Sequence, residues 1–303
     1  MSEAPKKRAK RDLSGWLVFT KPYDMSSTEA VGKLRWLYAA KKAGHAGTLD
    51  PLATGILPIA FGEATKTVPV VQDGTKIYHF DIVWGTATAT DDIEGEVIAT
   101  SDVRPSRDVL EAVLPRFTGL ITQVPPAFSA IRIGGERAYD LARAGEKLNM
   151  PPREIEIDAL EILTHGAERS RLSVTCSKGT YVRALARDIA EALGTRGHVG
   201  ALHRARVGAF TDEDAVSLQD VEASGEDGRD ALLLPVAAGL SALPEIRLDA
   251  RQAATVRLGN PVLLTGRGAP VALDDAWASV RGEAVALGMV ENGQFKPRRV
   301  ILG

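Results

Sequence analysis

The chain has 303 residues, of which 45% are hydrophobic and 25% charged, and its formal net charge is −2. This composition is typical of a soluble globular protein, and the length predicts one large domain followed by a smaller one. The longest apolar runs are too short to span a membrane, and no apolar segment follows the N-terminal charges as it would in a signal peptide. A single cysteine excludes an internal disulfide bond. We therefore expect a cytoplasmic protein.

The N-terminal region combines a basic tail with a predicted strand and a predicted helix. Residues 1–12 are rich in lysine and arginine and predict a disordered solubilising arm, with an RNA contact as the alternative. The run GWLVFT over 15–20 predicts a buried strand. Ser26 and Glu29 have the spacing of a capping box, so a helix is predicted to begin there and to end near Gly44.

Residues 44–66, with the sequence GHAGTLDPLATGILPIAFGEATK, consist largely of glycine, proline, threonine and small apolar residues. In the first half, Asp50 is the one side chain suited to acid, base or nucleophile chemistry at neutral pH without help from a neighbour. Pro51 restricts Asp50 to extended geometry. The segment is therefore predicted to be a rigid loop that presents one carboxylate, although an isolated Asp-Pro pair is more often a turn in which the aspartate caps the next element.

Alternating polar and apolar residues predict three further strands. They cover 76–84, 155–163 and 171–177. Cys176 lies in the last of these, where the alternation predicts a buried structural thiol. A hairpin is predicted over 86–98, and its Asp91 and Asp92 lack further ligands at calcium-loop spacing, so they are interpreted as a solvated turn.

Two helices flank a long segment without a periodic pattern. One helix is predicted over 105–117 with Ser106 as its cap, and the other over 180–193 with Gly194 as its end. Between them, 125–152 is basic, contains glycine and is predicted to be an irregular excursion, which in a compact domain is usually functional.

The C-terminal part of the chain differs in style. Residues 224–230 are acidic and predict a linker, or a short helix with a loose end. Asp249 is predicted to cap a short helix, after which short strands follow. Turns at Gly282 and at Asn292-Gly293 separate these strands, which predicts a small β-rich module of about sixty residues.

Motifs for nucleotide and metal binding are missing from the sequence. No GxGxxG motif opens a predicted helix, and there is no P-loop and no zinc-ligand spacing. No two of the five histidines have a metal-ligand spacing on one helix. We therefore expect neither a metal ion nor a nucleotide cofactor.

The string GHAGTLDPLATGILPIAFGEATK closely resembles the signature of the TruB family, the tRNA pseudouridine-55 synthases. Further segments resemble family motifs in the expected order over roughly residues 13–210: FTKPYDMS with Asp24 where the family commonly has glycine, KIY from Lys76, PPAFSA from Pro125, SKGTYVR from Ser177, and the segment 198–204. The DPLATG variant resembles the bacterial stand-alone enzymes rather than the related guide-RNA-dependent synthases. The last sixty residues resemble the family's PUA-like domain more weakly.

The resemblance implies an α+β fold with two domains behind the basic tail. The catalytic domain over 13–235 would form around a central mixed, largely antiparallel sheet of eight strands, with an RNA-inserting thumb over about 125–152. A small β-rich, PUA-like domain would occupy 245–303. The resemblance also implies a monomer that needs no cofactor and no obligate protein partner, and that acts on the T-arm of tRNA.

The resemblance further implies that the chain isomerises uridine to pseudouridine at position 55 in the T-loop of tRNA, after flipping the base out of the RNA. Asp50 matches the catalytic carboxylate, Arg183 the arginine that pairs with it, and Tyr78 the ring that stacks on the flipped uracil. The sequence leaves open whether Asp50 attacks the sugar, adds to the base or deprotonates the sugar. Apart from the motifs, Arg183 would be interpreted as an exposed helix arginine and Tyr78 as a core strand residue.

Four other residues match substrate-binding or supporting positions of the family. His45 matches a histidine near the displaced nucleotides, and Tyr181 and Leu202 match positions that line the nucleotide pocket. Lys21 is expected to support the active-site loop rather than to act as a catalyst. Arg204 and Arg206 are expected to grip phosphates, which gives affinity without sequence information.

Two alternative functions stay open at this point. One is an RNA-binding or tRNA-folding module that keeps the fold without catalysis, and the other is a synthase that acts on other RNAs. A catalytically dead homologue would have no chemical reason to keep Asp50, Tyr78 and Arg183 together, so the sequence favours the enzyme.

Overall fold

The computed structural model describes residues 9–129, 131–145 and 148–302. The strands in chain order are β1 (Gly15–Lys21), β2 (Ala43–His45), β3 (Thr54–Phe61), β4 (Lys76–Trp84), β5 (Thr86–Thr88), β6 (Val97–Thr100), β7 (Gly119–Gln123), β8 (Arg132–Ile133), β9 (Glu136–Arg137), β10 (Arg153–His165), β11 (Arg169–Cys176), β12 (Gly197–Val207), β13 (Phe210–Thr211), β14 (Glu245–Arg247), β15 (Val262–Leu263), β16 (Leu273–Val280), β17 (Glu283–Glu291) and β18 (Gln294–Val300).

The α-helices are α1 (Ser27–Leu37), α2 (Val68–Asp73), α3 (Arg107–Val113), α4 (Ala138–Arg143), α5 (Val182–Ala192), α6 (Leu218–Ala223), α7 (Gly225–Gly228) and α8 (Ala250–Arg257). Short 3-10 turns cover Gly62–Lys66, Leu114–Phe117, Asp212–Asp214, Arg229–Leu232 and Val236–Leu240. None of the helices in the described residues has the length and apolar character that a membrane crossing requires. The described chain divides into two compact units, which consist of 9–51, 55–74 and 207–302, and of 52–54 and 75–206.

In the first unit, the capping box that the sequence predicts opens α1. The Glu29 amide donates to Ser26 Oγ over 3.2 Å, and the Ser26 amide donates to Glu29 Oε2 over 2.8 Å. The helix ends at Leu37 rather than near Gly44, because Ala39 takes a positive φ of 49° that ends the helical path. The predicted start of the helix is confirmed, and the predicted end is wrong.

Within the described residues, Arg11 is tied to the body of the first unit. The Arg11 amide donates to the Ala39 carbonyl over 2.7 Å, and Arg11 Nη1 donates to Asp230 Oδ1 over 3.0 Å. The predicted disorder is therefore wrong at Arg11, where a backbone contact and an ion pair compensate for the entropy of ordering. The prediction for residues 1–8 lies outside the described residues.

The second half of the predicted central loop is a strand. β3 pairs antiparallel with both β1 and β2, so that Ala60 lies opposite Trp16 and Gly44. Residues 55–61 are buried, as expected of a continuous apolar run in the interior of a sheet. The prediction of a loop therefore holds only for the residues between β2 and β3, and this short loop carries Asp50.

The predicted linker over 224–230 is wrong, and its alternative, a short helix, is confirmed as α7. The segment is tied to the body of the first unit through Arg229, which is 8% exposed. Arg229 Nε donates to the Val221 carbonyl and Nη1 to the Leu37 carbonyl, each over 2.9 Å. The Tyr38 hydroxyl in turn donates to the Arg229 carbonyl over 2.9 Å. One guanidinium thus satisfies carbonyls near the ends of α1 and α6.

The predicted C-terminal β-rich module is confirmed as a five-stranded sheet in the order β14-β16-β17-β18-β15. Its hairpin turns have positive φ at Arg281-Gly282 and Asn292-Gly293, which is the geometry of two-residue turns between twisted strands. Asp249 caps α8 as predicted. Within the first unit the sheet is anchored on the 62–66 turn, where Lys66 Nζ donates to the Val300 carbonyl over 2.8 Å.

The second unit is organised around strands in the order β12-β4-β11-β10-β7. β11 pairs antiparallel with both β4 and β10, and β7 pairs antiparallel with β10. The helix α5 follows β11 and buries a face that consists mainly of small and aliphatic side chains. It ends at Ala192, two residues before Gly194, which has a φ of 69°. β4 has the predicted bounds, and the β5–β6 hairpin is confirmed.

The segment 125–152 contains regular elements that the sequence analysis did not predict. β8 and β9 form a hairpin with Gly134-Gly135 at its turn, where both residues have positive φ, and α4 follows directly. The prediction of an irregular excursion is therefore wrong in its local structure. β8 and β9 have only two residues each, so they show no alternation of polar and apolar residues in the sequence. Residues 130, 146 and 147 lie outside the described part.

Candidate active site

The loop that carries Asp50 is held by hydrogen bonds at the two residues next to Asp50, which are Leu49 and Pro51. Ser27 Oγ donates to the Leu49 carbonyl over 2.9 Å, and the Leu49 amide donates to Ser27 Oγ over 2.8 Å. On the other side, Lys21 Nζ donates to the Pro51 carbonyl over 3.1 Å. Asp50 itself is half-buried. The backbone around this carboxylate is therefore held in place before any substrate arrives, which reduces the cost of ordering it during a reaction.

Lys21 lies where the sequence analysis expected it, in support of this loop. Only 1% of the residue is exposed. Its ammonium group also donates to the Met25 carbonyl over 2.7 Å and to the Pro22 carbonyl over 2.9 Å. A buried ammonium surrounded by carbonyls organises the backbone and has no exposed face for a nucleotide.

The departure from the family motif at Asp24 has a structural explanation. Asp24 has a φ of 59°, in the left-handed region where glycine is favoured and aspartate is tolerated. Its amide donates to the Pro51 carbonyl over 3.0 Å, so the residue adds a second contact to the loop. The substitution of glycine by aspartate keeps the required backbone geometry. In the same unit, His45 ends β2, lies opposite Ile59 of β3 and is half-buried.

In the second unit, Tyr78 and Leu202 lie on neighbouring strands. Tyr78 is half-buried on β4, opposite Val174 of β11, and Leu202 is 7% exposed on β12. Next to Leu202, His203 Nδ1 lies 2.9 Å from Thr54 Oγ1. Of the two side chains, the half-buried Tyr78 ring is the one that offers an aromatic surface on which a planar base can stack.

Tyr181 is the N-cap residue of α5, and a glutamine that the sequence analysis missed holds its backbone. The Tyr181 amide donates to Gln123 Oε1 over 2.8 Å, and Gln123 Nε2 donates to the Tyr181 carbonyl over 3.1 Å. Gln123 is 1% exposed. The Arg153 guanidinium lies 5.4 Å from the centre of the Tyr181 ring. The sequence shows Gln123 only as a polar residue shortly before Pro125-Pro126, where no strand was predicted.

Arg183 is 5% exposed, so it is not an exposed helix arginine. Its Nη1 donates to the Thr90 carbonyl and its Nη2 to the Phe128 carbonyl, each over 2.9 Å. Nη1 also lies 3.4 Å from Asp92 Oδ2. The guanidinium is thus fixed between the turn of the β5–β6 hairpin and the start of the 125–152 segment.

The two aspartates of this hairpin turn are enclosed, and the prediction of a solvated turn is wrong. Asp92 is 3% exposed, and its Oδ1 accepts the Glu94 amide over 3.0 Å. Asp91 Oδ2 lies 2.8 Å from Nη1 of Arg187. Burial raises the pKa of Asp91, an effect that the nearby Arg187 opposes. Both carboxylates face arginines of α5. Among the described residues no group of three or more histidine, cysteine, aspartate or glutamate side chains could hold a metal ion.

The two arginines of β12 differ in what they can contact. Arg204 is 2% exposed, so the expected phosphate contact of this residue is wrong, whereas Arg206 is exposed. Arg204 lies two residues from the buried Leu202 and therefore shares its inward-facing side of the strand. The sequence shows that Arg204 is charged, but it does not show that the side chain is buried.

Comparison with known proteins places the chain in a family. Residues 35–182 match the TruB family pseudouridylate synthase N-terminal domain, and residues 183–241 match the tRNA pseudouridylate synthase B C-terminal domain. The tRNA pseudouridine synthase B of Brucella ovis is 54% identical, with 97% of each chain covered. That of Mesorhizobium japonicum is 51% identical, with 98% of each chain covered.

Solved structures show the same fold. A chain of a Cbf5-Nop10-Gar1 complex is 24% identical and has a TM-score of 0.75, and the match covers 95% of this chain and 85% of that chain. A chain of an H/ACA RNP bound to a substrate RNA containing 2′-deoxyuridine is 22% identical with a TM-score of 0.72. These likenesses confirm the predicted α+β fold, with a mixed central sheet and a C-terminal β-rich domain. The chain therefore belongs to the TruB family of tRNA pseudouridine synthases, which are isomerases.

Proposed function

We propose that this tRNA pseudouridine synthase isomerises uridine 55 in the T-loop of tRNA, and that Asp50 supplies the reacting carboxylate. The observation that carries the proposal is the bracing of the Asp50 loop by the buried side chains of Ser27 and Lys21. A reacting group must be held close to its working position, because misplacement by about 1 Å can lower a rate a hundredfold.

The reaction rearranges one nucleotide without a redox step. The bond between N1 of uracil and C1′ of the ribose breaks, and a bond between C5 and C1′ forms. The proton on C5 is lost and N1 regains a proton, so the product is an isomer of the substrate. In each of the three routes left open above, a carboxylate next to the ribose or the base begins the rearrangement.

We propose that Arg183 pairs with the Asp50 carboxylate through a charge-assisted hydrogen bond. A planar guanidinium matches the geometry of a carboxylate and can hold it in one orientation. Arg183 suits this role because the Thr90 and Phe128 carbonyls fix its orientation. A guanidinium has five N–H donors, so these contacts are compatible with a further carboxylate.

The target base must leave the RNA stack to reach a half-buried carboxylate. Flipping the base out of the stack costs a few kcal/mol, and stacking on an aromatic ring offsets about 1–3 kcal/mol of this cost per base. We assign the stacking to Tyr78, the walls of the nucleotide pocket to Leu202 and Tyr181, and a contact with the displaced nucleotides to His45. We also infer that 125–152 enters the RNA as a thumb, and that the exposed Arg206 contacts the phosphate backbone.

We infer that the enzyme acts as a monomer in the cytoplasm, without a cofactor or an obligate protein partner. A free, buried Cys176 fits a reducing compartment, since oxidising compartments favour paired cysteines. The shape of the T-loop, rather than a long base sequence, would select the substrate.

Tritium release from transcripts labelled with [5-³H]uridine tests the proposed substrate. We expect release close to one equivalent per tRNA, release from an isolated T-arm hairpin, and none from a transcript in which uridine 55 is replaced by cytidine. Unchanged release from the cytidine variant would move the target to another position or RNA. Tight binding without release from any transcript would favour a tRNA-folding module over the proposed activity.

A further inference from the structure

Two arginines one turn apart on α5 hold the start of the thumb. We call residues 124–128 the thumb root. Arg183 Nη2 donates to the Phe128 carbonyl over 2.9 Å, and Arg187 Nη2 donates to the Val124 carbonyl over 2.8 Å. Side chains four residues apart lie on the same face of a helix, and here they contact carbonyls four residues apart in the thumb root.

Arg187 is held in place by carboxylates on two sides. Its Nη1 lies 2.8 Å from Asp91 Oδ2, and its Nε donates to Asp188 Oδ1 over 2.9 Å. With the Val124 carbonyl as third acceptor, each of its three nitrogens has a partner. Its side chain is 23% exposed and that of Asp91 is 14% exposed, so water competes less with this pair than with a surface pair.

The backbone of Asp91 is itself anchored. Asp91 has a φ of 61°, in the left-handed region that aspartate tolerates in tight turns. The Val199 amide of β12 donates to the Asp91 carbonyl over 3.0 Å. The turn therefore provides a fixed carboxylate, and Arg187 transmits that position to the thumb root.

We propose that Arg187 and Asp91 form a positioning pair that sets where the thumb leaves the sheet, next to Arg183. This inference rests on the proposed function, in which the thumb enters the tRNA. Because Arg187 contacts a backbone carbonyl of the thumb root, its loss affects how well the thumb meets the RNA rather than the bond rearrangement. The pair is therefore expected to act on KM for tRNA and to leave kcat nearly unchanged.

Asp91→Asn is the decisive variant, because electrostatics and positioning predict opposite results. Removal of a negative charge would strengthen the attraction of tRNA phosphates, whereas loss of the pair would weaken tRNA binding. We expect KM for tRNA to rise about fivefold, with kcat within about twofold of the parent. Arg187→Lys keeps the charge but loses the planar fork, so it should raise KM by a similar factor.

Arg196→Ala is the matched control. The Arg196 side chain lies just beyond α5 and is 44% exposed, and its Nη1 lies 3.4 Å from Glu191 Oε1. The variant therefore removes one positive charge but no hydrogen bond to the thumb root. Its KM should stay within about twofold of the parent, because one exposed charge contributes little. In addition, the double variant Arg187→Lys/Asp91→Asn should resemble either single variant, since residues that act as one unit are not additive.

Three results would overturn the proposal. A lower KM for Asp91→Asn together with a normal KM for Arg187→Lys would make Arg187 a phosphate contact. A fall in kcat at unchanged KM, matching a loss of folded protein by circular dichroism, would make the pair purely structural. Unchanged kcat and KM in both variants would show that Arg187 and Asp91 do not position the thumb. Failure of the proposed function is distinguishable, because the parent enzyme would then release no tritium from uridine 55.

Discussion

Nη1 of Arg183 lies 3.4 Å from Oδ2 of Asp92, and their side chains are only 5% and 3% exposed. Asp92 is thus the enclosed carboxylate that faces the arginine we assign to the active site. Removal of one partner from a buried ion pair leaves an uncompensated charge, which typically costs about 3–5 kcal/mol. Asp92 therefore balances the buried charge of Arg183 and adds to the orientation that the Thr90 and Phe128 carbonyls give it.

Asp92→Asn should lower kcat by at least about tenfold while changing KM for tRNA by less than about threefold, because Arg183 loses the carboxylate that orients it. Tritium release gives both constants. As a control, Asp275→Asn breaks an exposed pair in which Arg298 Nη1 lies 3.1 Å from Asp275 Oδ1, and its kcat should be normal. A parental kcat for Asp92→Asn would contradict this account of Arg183.

Gln123→Met tests the support of Tyr181. Methionine keeps roughly the length of the side chain but can neither accept the Tyr181 amide nor donate to the Tyr181 carbonyl, which now accepts from Gln123 Nε2 over 3.1 Å. Both backbone groups of Tyr181 would lose these partners, so kcat/KM should fall about tenfold, equivalent to about 1.4 kcal/mol. Steady-state kinetics on tRNA measure this. A variant with parental kcat/KM would show that Tyr181 does not need this support.

Arg229→Met should destabilise the protein without affecting catalysis. The methionine keeps an apolar stem but leaves the Val221 and Leu37 carbonyls without the donors that Arg229 provides, so the free energy of unfolding should fall by about 2–4 kcal/mol. Tyr38→Phe removes only the hydrogen bond to the Arg229 carbonyl and should cost about 1 kcal/mol. Urea denaturation measures both. An unchanged unfolding free energy in Arg229→Met would restore the interpretation of 224–230 as a linker.

Cys176 should resist alkylation in the native protein. Burial raises the pKa of its thiol to about 11. Because the thiolate is the reactive form, a raised pKa lowers the reactive fraction at pH 8, and full burial also denies access. Iodoacetamide at pH 8 should label the native protein very slowly and the protein in guanidinium chloride rapidly. Fast labelling without denaturant would show that β11 opens readily.

Local patterns in the sequence predicted the elements whose structure depends on near neighbours. The capping boxes at Ser26 and Asp249 join residues three positions apart, and the alternation in 76–84 defines β4 within one stretch. The same holds for the turn at Asn292-Gly293. In these cases the physical cause lies within a few residues, so the sequence contains it directly.

The failed predictions involve partners that are distant in the sequence. Asp91 was interpreted as solvated because Arg187, 96 positions away, is invisible to a local pattern. Arg229 is separated by 192 positions from the Leu37 carbonyl that it satisfies. Gln123 and its Tyr181 partner are 58 positions apart. Local composition can identify a charged or polar residue, but only the fold shows whether it is enclosed and by what.

The candidate site residues were found through resemblance to a family, because a single carboxylate and an arginine on separate elements have no spacing that marks a reaction. What the structure adds is the support around them: Ser27 and Lys21 at the Asp50 loop, Gln123 at Tyr181, and Asp92 at Arg183. Of these supporting residues, the sequence analysis anticipated only Lys21.

The rate of tritium release from [5-³H]uridine tRNA by the parent and by Asp50→Asn, measured with enzyme in excess, tests the central claim most directly. The amide keeps the size of the side chain but cannot act as nucleophile or base. We therefore expect release of tritium by the parent and no detectable release by the variant. The Kd of the variant for tRNA should lie within about threefold of the parental Kd. Release by Asp50→Asn at the parental rate would contradict the account, because the reacting carboxylate would then lie elsewhere.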